Sequence, residues 1–278
     1  MSEIKLENLE KSFDDFVAVE KSDLTIQDNE FFVLLGPSGC GKTTTLRMIA
    51  GLELPTSGKI LLDNEDVTFL RASQRDIAFV FQLFALYPHM NVKKNLAFPL
   101  KMQGFKKSEI NKRIEEVSEL LRIQHLLNSK VSSLSGGDRQ RVALGRAIVR
   151  RPKAFLMDEP LGTLDAEFRE LMCLELRKLH NDIKATTVYV THDQLEAMSM
   201  GDRIAVMNKG KIIQFGTPKD IYLKPKTKFV GSFIGSPAMN FIPIHHSIEK
   251  SQNKIVINGE YYDVPQSFGG TNSPINYL

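Results

Sequence analysis

Gly36-Pro37-Ser38-Gly39-Cys40-Gly41-Lys42-Thr43 fits the pattern G-x-x-x-x-G-K-[ST]. It follows the apolar run Phe31-Phe32-Val33-Leu34-Leu35 and precedes the helix-like run Thr44-Thr45-Leu46-Arg47-Met48-Ile49-Ala50. Strand, glycine-rich loop and helix in that order make a phosphate cradle. The glycines let the backbone wrap closely around anionic oxygens, and successive amides and the helix N-terminus point at them. Lys42 is spaced to reach the β and γ oxygens of a nucleoside triphosphate, and the Thr43 hydroxyl to ligate Mg²⁺. The cradle implies an α/β fold in which ligands gather at the carboxyl ends of strands.

A phosphate cradle alone does not separate kinases, GTPases and transport ATPases. Three further apolar runs end in polar groups. Ala154-Phe155-Leu156-Met157 runs into Asp158 and Glu159, Ile77-Ala78-Phe79-Val80-Phe81 into Gln82, and Thr187-Val188-Tyr189-Val190 into Thr191, His192 and Asp193. Read as parallel strands, they deliver these side chains to the edge that holds the nucleotide. Asp158 is then placed to hold Mg²⁺ through water, and Glu159 to polarise an attacking water. Farther along, Leu134-Ser135-Gly136-Gly137-Asp138 precedes a helical run from Gln140 to Val149 that stops before Pro152. The Ser-Gly-Gly turn therefore offers amide donors at a helix N-terminus.

Taken in order, the cradle, Gln82, Leu134-Ser135-Gly136-Gly137, Asp158-Glu159, Leu164-Asp165 and His192 resemble the nucleotide-binding subunit of an ABC transporter, over about residues 1–240. The resemblance implies a P-loop nucleotide-binding domain with a RecA-like core sheet, an antiparallel β subdomain and a helical subdomain at about 85–150. It implies ATP and Mg²⁺ as ligands, with Gly36 to Thr44 around the phosphates and Thr43, Gln82 and Asp158 at the metal. It implies Glu159 as general base, Gln82 as a catalytic residue that helps complete the Mg²⁺ and water arrangement, His192 as a switch on the γ-phosphate, and Phe13 stacked on adenine. It further implies an ATP-driven head-to-tail homodimer in which Ser135, Gly136 and Gly137 of one copy close on the nucleotide of the other. Asp165 then communicates across the dimer.

Two departures from the family pattern stand out. Asp138 occupies the place of the usual glutamine, so any contact with the partner's nucleotide is made by an anionic acceptor, with Arg139 and Arg141 near in sequence to offset the charge. Gly162-Thr163 replaces a frequent Ser-Asn pair.

Leu83 to Val92 is unusually apolar and aromatic for a loop and continues through Asn95 to Lys101. In importers of this family the stretch receives a coupling helix, which implies two transmembrane permease subunits and, through them, a solute-binding protein. An apolar groove is an ordinary seat for a partner helix. A second helix is expected from Lys106 to about Asn128, with Ile110, Ile114, Val117, Leu120, Leu121 and Leu127 on one stripe.

The chain of 278 residues, with 42% apolar and 25% charged residues, has the composition of a soluble globular protein. A net charge of +3 without a basic cluster argues neither for nucleic acid nor for an acidic membrane surface, and no nucleic-acid partner is expected. No signal peptide and no apolar run long enough to span a bilayer is legible, which places the chain at the cytoplasmic face of the membrane through its partners. Cys40 and Cys173 read as reduced thiols.

After residue 235 the organisation changes. Phe233-Ile234-Gly235-Ser236-Pro237-Ala238-Met239-Asn240-Phe241 is similar to the junction in carbohydrate-importing ABC ATPases of the maltose and glycerol-phosphate type. That likeness implies a sugar, sugar alcohol or glycerol phosphate as solute, with polyamine and iron importers as the alternative. The expected domains are 1–235 for nucleotide binding and 236–278 as a shortened or truncated OB-like β segment. Without a full regulatory domain, a monomer is expected in the absence of ATP. Asn258-Gly259 between alternating apolar residues reads as a hairpin turn. His245 and His246, adjacent in an extended run, face opposite sides and make a poor metal pair.

Overall fold

The computed structural model describes residues 3–81, 85–162, 164–241, 254–257 and 260–263, and the chain forms two compact units, 1–230 and 231–278. It opens with β1 (Ile4–Phe13) and β2 (Phe16–Ile26), then passes through β3 (Phe31–Leu35) into α1 (Lys42–Ala50). β4 (Ser57–Leu62), β5 (Glu65–Asp66) and β6 (Ile77–Val80) follow, and then α2 (Val92–Met102), α3 (Lys107–Leu120) and α4 (Gly136–Ile148). Strand and helix alternate through β7 (Ala154–Asp158), α5 (Ala166–Ile183), β8 (Thr186–Thr191), α6 (Gln194–Met200) and β9 (Arg203–Asn208). β10 (Lys211–Gly216), α7 (Pro218–Leu223) and α8 (Lys228–Phe233) complete this part.

Two sheets build the first unit. The antiparallel one runs β2-β1-β4-β5; the core sheet runs β10-β9-β3-β8-β7-β6. In the core sheet every pairing from β9 to β6 is parallel, and β10 closes the edge antiparallel to β9. A parallel strand covered on both faces has no solvent side, so it reads as an unbroken apolar run rather than an alternating one. β3 obeys this: all five of its residues are fully buried. Phe32 and Leu34 join the core cluster with Leu46 and Ile49 of α1 and Ile4 and Ile60 of the antiparallel sheet. On the opposite face Phe31 meets His180 of α5, ring centroids 5.2 Å apart.

The parallel register levels the strand ends. Leu35 lies beside Thr191, Asp158 beside Val190 and Val80 beside Met157. Residues that follow β3, β7 and β8 therefore emerge at one edge. The far end of α1 is held by Arg75, which is 2% exposed and donates to the carbonyls of Met48 and Ile49, both at 2.7 Å, and of Thr68 at 2.9 Å. A cation on the last carbonyls of a helix satisfies them and complements its dipole.

The helical region departs from expectation at two places. α3 ends at Leu120 rather than near Asn128, because Arg122 takes a left-handed φ of 55° and the chain turns into a short 3₁₀ stretch at Gln124–Leu126. The stretch read as continuing loop after Val92 is helix α2, despite the internal Pro99, and Asn91 caps it by accepting from the Lys94 amide at 2.9 Å. Asn95, expected at the end of the partner-facing surface that begins at Gln82, is instead fully buried, bonded in both directions to Tyr87, which pins the preceding loop.

In the second unit β11 (Lys254–Ile257) and β12 (Glu260–Asp263) pair antiparallel, Ile257 opposite Glu260. The Asn258-Gly259 turn and the His245-His246 pair lie outside the described residues.

Candidate functional site

The loop from Gly36 to Gly41 leaves β3 and enters α1 directly. Two of its glycines are obligatory for different reasons. A Cβ on Gly36 would lie 2.3 Å from the Met207 carbonyl of β9. Gly41 has φ +104°, and a Cβ there would lie 2.5 Å from the Ala18 carbonyl of β2. The loop is thus squeezed between both sheets, and Gly210 also donates to the Cys40 carbonyl at 3.0 Å. Gly41 caps α1 with no side-chain hydrogen bond, so no side chain competes for the amides that face the loop.

Lys42 is buried, and its ammonium donates back to the carbonyls of Gly36 at 2.8 Å and Pro37 at 3.0 Å. These bonds fold the loop around the amine. Cys40 Sγ lies 4.0 Å from the same nitrogen; burial pushes the thiol up and Lys42 opposes that shift. Cys40 and Cys173 are both free and buried, and burial drives Cys173 to about 12. Pro37, Ser38 and Gly39 form the open crown of the loop, and Thr44 lies half-buried behind it.

The Thr43 hydroxyl donates to Asp158 Oδ1 at 2.8 Å, joining the loop to the end of β7. Burial raises the Asp158 carboxyl above the usual carboxylate range, while the Thr43 hydrogen bond, Arg47 and Lys42 act against it. This pair of hard oxygens suits Mg²⁺, which takes one or two protein oxygens together with phosphate and water. Gln82, the third expected metal contact, lies outside the described residues, as does Thr163.

Glu159 follows with a left-handed φ of 44°, an uncommon conformation for a non-glycine residue. Its amide donates to the Val190 carbonyl at 3.0 Å, and its Oε2 lies 3.2 Å from His192 Nδ1 at the end of β8. The carboxylate is mostly covered, the imidazole half exposed.

Beside His192 lies a network that the sequence reading missed. Arg169 of α5 donates to the Leu164 carbonyl at 2.8 Å and to Asp193 Oδ2 at 3.1 Å. Asp193 caps α6, accepting from the amides of Leu195 and Glu196. Glu196 is buried, accepts from Thr191 at 2.6 Å and Tyr189 at 2.8 Å, and stands 3.6 Å from Arg169 Nε. Burial raises its carboxyl, and the two hydroxyl bonds pull the other way. The only sequence signal was Asp193 three residues before Glu196, a helix-start pattern. The arginine ties the loop carrying exposed Asp165 to the turn carrying His192.

The expected aromatic platform is Phe13 at the tip of the β1–β2 hairpin. It is 43% exposed, lies opposite Phe16 and carries Lys11 Nζ 4.6 Å from its ring centre. The hairpin runs from there to Ala18, which touches Gly41.

The second anion turn stands apart in bonding. Ser135 caps α4, one turn earlier than Gln140, the expected start. Ser135 and Gly136 are exposed, and the space above Gly136 is open. Ser135 Oγ donates to Asp138 Oδ2 at 2.6 Å and accepts from the Asp138 amide at 3.1 Å.

A strand-borne phosphate cradle, two acids at the end of β7, a histidine after β8 and a serine-glycine helix start now stand together, and comparison with known proteins agrees with them. Residues 19–162 match the family model described as ABC transporter. The chain belongs to the ABC transporter family. It is 56% identical over 248 residues, 87% of this chain and 67% of the relative, to the trehalose/maltose import ATP-binding protein MalK of Thermococcus litoralis. It is 54% identical over 243 residues, 87% of this chain and 70% of the relative, to the sn-glycerol-3-phosphate import ATP-binding protein UgpC of Bartonella bacilliformis. Among solved structures, the ABC fold matches the dimeric structure of MJ0796, a bacterial ABC transporter cassette. The TM-score is 0.69 at 33% identity, over 77% of this chain and 98% of that one. A post-hydrolysis state of the same cassette bound to ADP and Pi matches at 0.69, 32% identity and the same coverage of both chains. Among the described residues of this ABC chain, no helix is long and apolar enough to cross a membrane.

Proposed function

We propose that the chain is the ATP-hydrolysing subunit of an ABC importer for a carbohydrate-type solute: a sugar, a sugar alcohol or a glycerol phosphate. The observation that carries the ATPase reading is the convergence of Lys42 and Thr43, Asp158 and Glu159, and His192 at one edge of the core sheet. The solute class rests on the relatives, a trehalose/maltose import ATP-binding protein and an sn-glycerol-3-phosphate import ATP-binding protein.

In this reading the amides of Gly39 to Thr44 receive the phosphates, and Lys42 exchanges its bonds to Gly36 and Pro37 for phosphate oxygens. Thr43, Asp158 and Gln82 would hold Mg²⁺, which would supply charge neutralisation on the phosphates. Glu159 accepts the proton of the attacking water as the water oxygen bonds the γ-phosphorus and the bond to ADP breaks. His192, held against Glu159, orients that carboxylate and contacts the γ-phosphate. Phe13 stacks on adenine. Ser135, Gly136 and Gly137 of a second copy close on the γ-phosphate, and Asp165 meets the partner across the same interface. Closure passes to two permease subunits through the stretch from Gln82 to Asn95, apart from buried Asn95 itself, with the chain peripheral at the cytoplasmic face. Residues 1–235 form the motor and 236–278 the β segment.

Replacing Glu159 by Gln tests the core of this. ATP binding stays within about twofold, turnover falls at least about a hundredfold, and the closed dimer accumulates. Normal phosphate release by Glu159→Gln removes the residue from the base role. For the solute class, ATPase of the assembled importer in vesicles should rise with a sugar-loaded binding protein and stay flat with a polyamine or iron-loaded one.

A further inference from the structure

Resting on the two-copy reading above, we propose that Asp138 is a built-in competitor for the partner's γ-phosphate: its carboxylate occupies the Ser135 hydroxyl until ATP displaces it. A serine hydroxyl has one proton and can donate only one hydrogen bond. Here that proton goes to Asp138 Oδ2 at 2.6 Å, while the serine Oγ accepts from the Asp138 amide at 3.1 Å. A phosphate oxygen at this turn needs a donor, and the hydroxyl has none to spare while it serves the carboxylate. Both groups are anionic acceptors competing for one hydrogen.

Charge adds to the competition. Asp138 lies in the first turn of α4, where its carboxylate complements the helix N-terminus and partly cancels the attraction that terminus has for an outside anion. Among the described residues no ion pair joins Asp138 to Arg139 or Arg141, and its carboxylate is bonded to the Ser135 hydroxyl. A glutamine in the same place would leave the hydroxyl a neutral neighbour and bring no negative charge to the triphosphate. Closure of this protein therefore requires more ATP than an uncharged turn would, and the Ser135 hydroxyl contributes to closure only after its bond to Asp138 breaks.

The alternative is that Asp138 only stabilises the start of α4, and the two roles predict opposite signs. ATP-dependent association is followed by sedimentation in the Glu159→Gln chain, with and without Asp138→Asn and, separately, Asp138→Gln. Melting temperatures are measured alongside. The expected result is a slightly lower melting temperature in both variants but association at about tenfold lower ATP, a gain that shrinks as salt rises. Adding Ser135→Ala should cost association several-fold more in the Asp138→Asn background than in its absence. Association at unchanged or higher ATP in both Asp138 variants overturns the proposal and leaves the helix-start role. If nucleotide binds but no variant associates at any ATP concentration, the two-copy reading itself fails and the role of Asp138 falls with it.

Discussion

The two helices proposed to receive phosphate at their N-termini are finished in opposite ways. α1 begins at Gly41 with no side-chain cap, no acidic residue in its first turn and a lysine folded into the loop ahead of it. α4 begins at Ser135 with a side-chain cap and Asp138 in its first turn, bonded to that cap. The free peptide groups at a helix start must be satisfied by something. At α1 the chain supplies nothing from its side chains, and the cradle is preorganised for an outside anion. At α4 the chain supplies its own anion. On the proposed reading the first terminus is open to phosphate from the start, and the second opens only when a ligand outcompetes Asp138.

The largest expected effect lies at the open end. Lys42→Met removes the ammonium that bonds the Gly36 and Pro37 carbonyls and, in the bound state, the phosphates. ATP affinity should fall by about a hundredfold or more, on the order of 3 kcal/mol for charge-assisted hydrogen bonds. Equilibrium nucleotide binding checks it, with a melting curve to show that the loop still folds. Near-normal binding would mean that the amides of α1 suffice alone, and the contrast with α4 would lose half its basis.

A smaller effect is expected where the edge of the core sheet is braced. Arg169→Met leaves the Leu164 carbonyl and the Asp193 carboxylate without their guanidinium bonds. Stability should drop by about 2 kcal/mol, read from the denaturant midpoint. Turnover should fall about tenfold while the Michaelis constant for ATP moves less than about twofold, because the brace touches the loops of Asp165 and His192 and not the phosphate cradle. Arg169→Lys keeps the charge but not the planar fork, so it should recover stability better than turnover. Equal loss of turnover and ATP affinity would show that the network serves the whole site.

What was legible in the sequence follows the range of the forces involved. The cradle is a local pattern of eight residues, and its strand and helix neighbours are local too. Strands β6, β7 and β8 were legible because burial on both faces turns a parallel strand into an apolar run. Their alignment into one edge followed from the general behaviour of parallel sheets, and the pairing of Leu35 with Thr191 and Asp158 with Val190 bears it out. The signature helix was legible but for its first turn, because Ser135 caps it and glycines at 136 and 137 disguise helix as loop. α2 was hidden by Pro99 inside an apolar stretch, although Asn91 ahead of Val92 was a usable cap signal. α3 ran short because an arginine, not a glycine, takes the left-handed turn at 122. The Arg169 network was out of reach: its members sit on three elements, and only the packing of α5 beside α6 brings them together. The strands β1 and β2 came from family likeness rather than from their own residues, since their bulged pairing blurs the alternation.

The finest test concerns how the open end grips the rest of the nucleotide. The Phe13 ring is half exposed and has Lys11 Nζ 4.6 Å from its centre. Lys11 is itself held by Glu53 at 2.6 Å and by the Leu54 carbonyl at 2.8 Å, so the ring is steadied by an anchored cation. An aromatic contact of this kind is worth about 1 kcal/mol, and Phe13→Ala should raise the Michaelis constant for ATP by about fivefold with turnover nearly unchanged. Phe16, paired directly with Phe13 and 63% exposed, is the control on the same hairpin. Phe16→Ala should leave the Michaelis constant where it was. If the two results come out reversed, adenine stacks on the neighbouring ring. If neither variant moves ATP affinity, the hairpin takes no part in nucleotide binding, and the grip of α1 on ATP is a matter of phosphate alone.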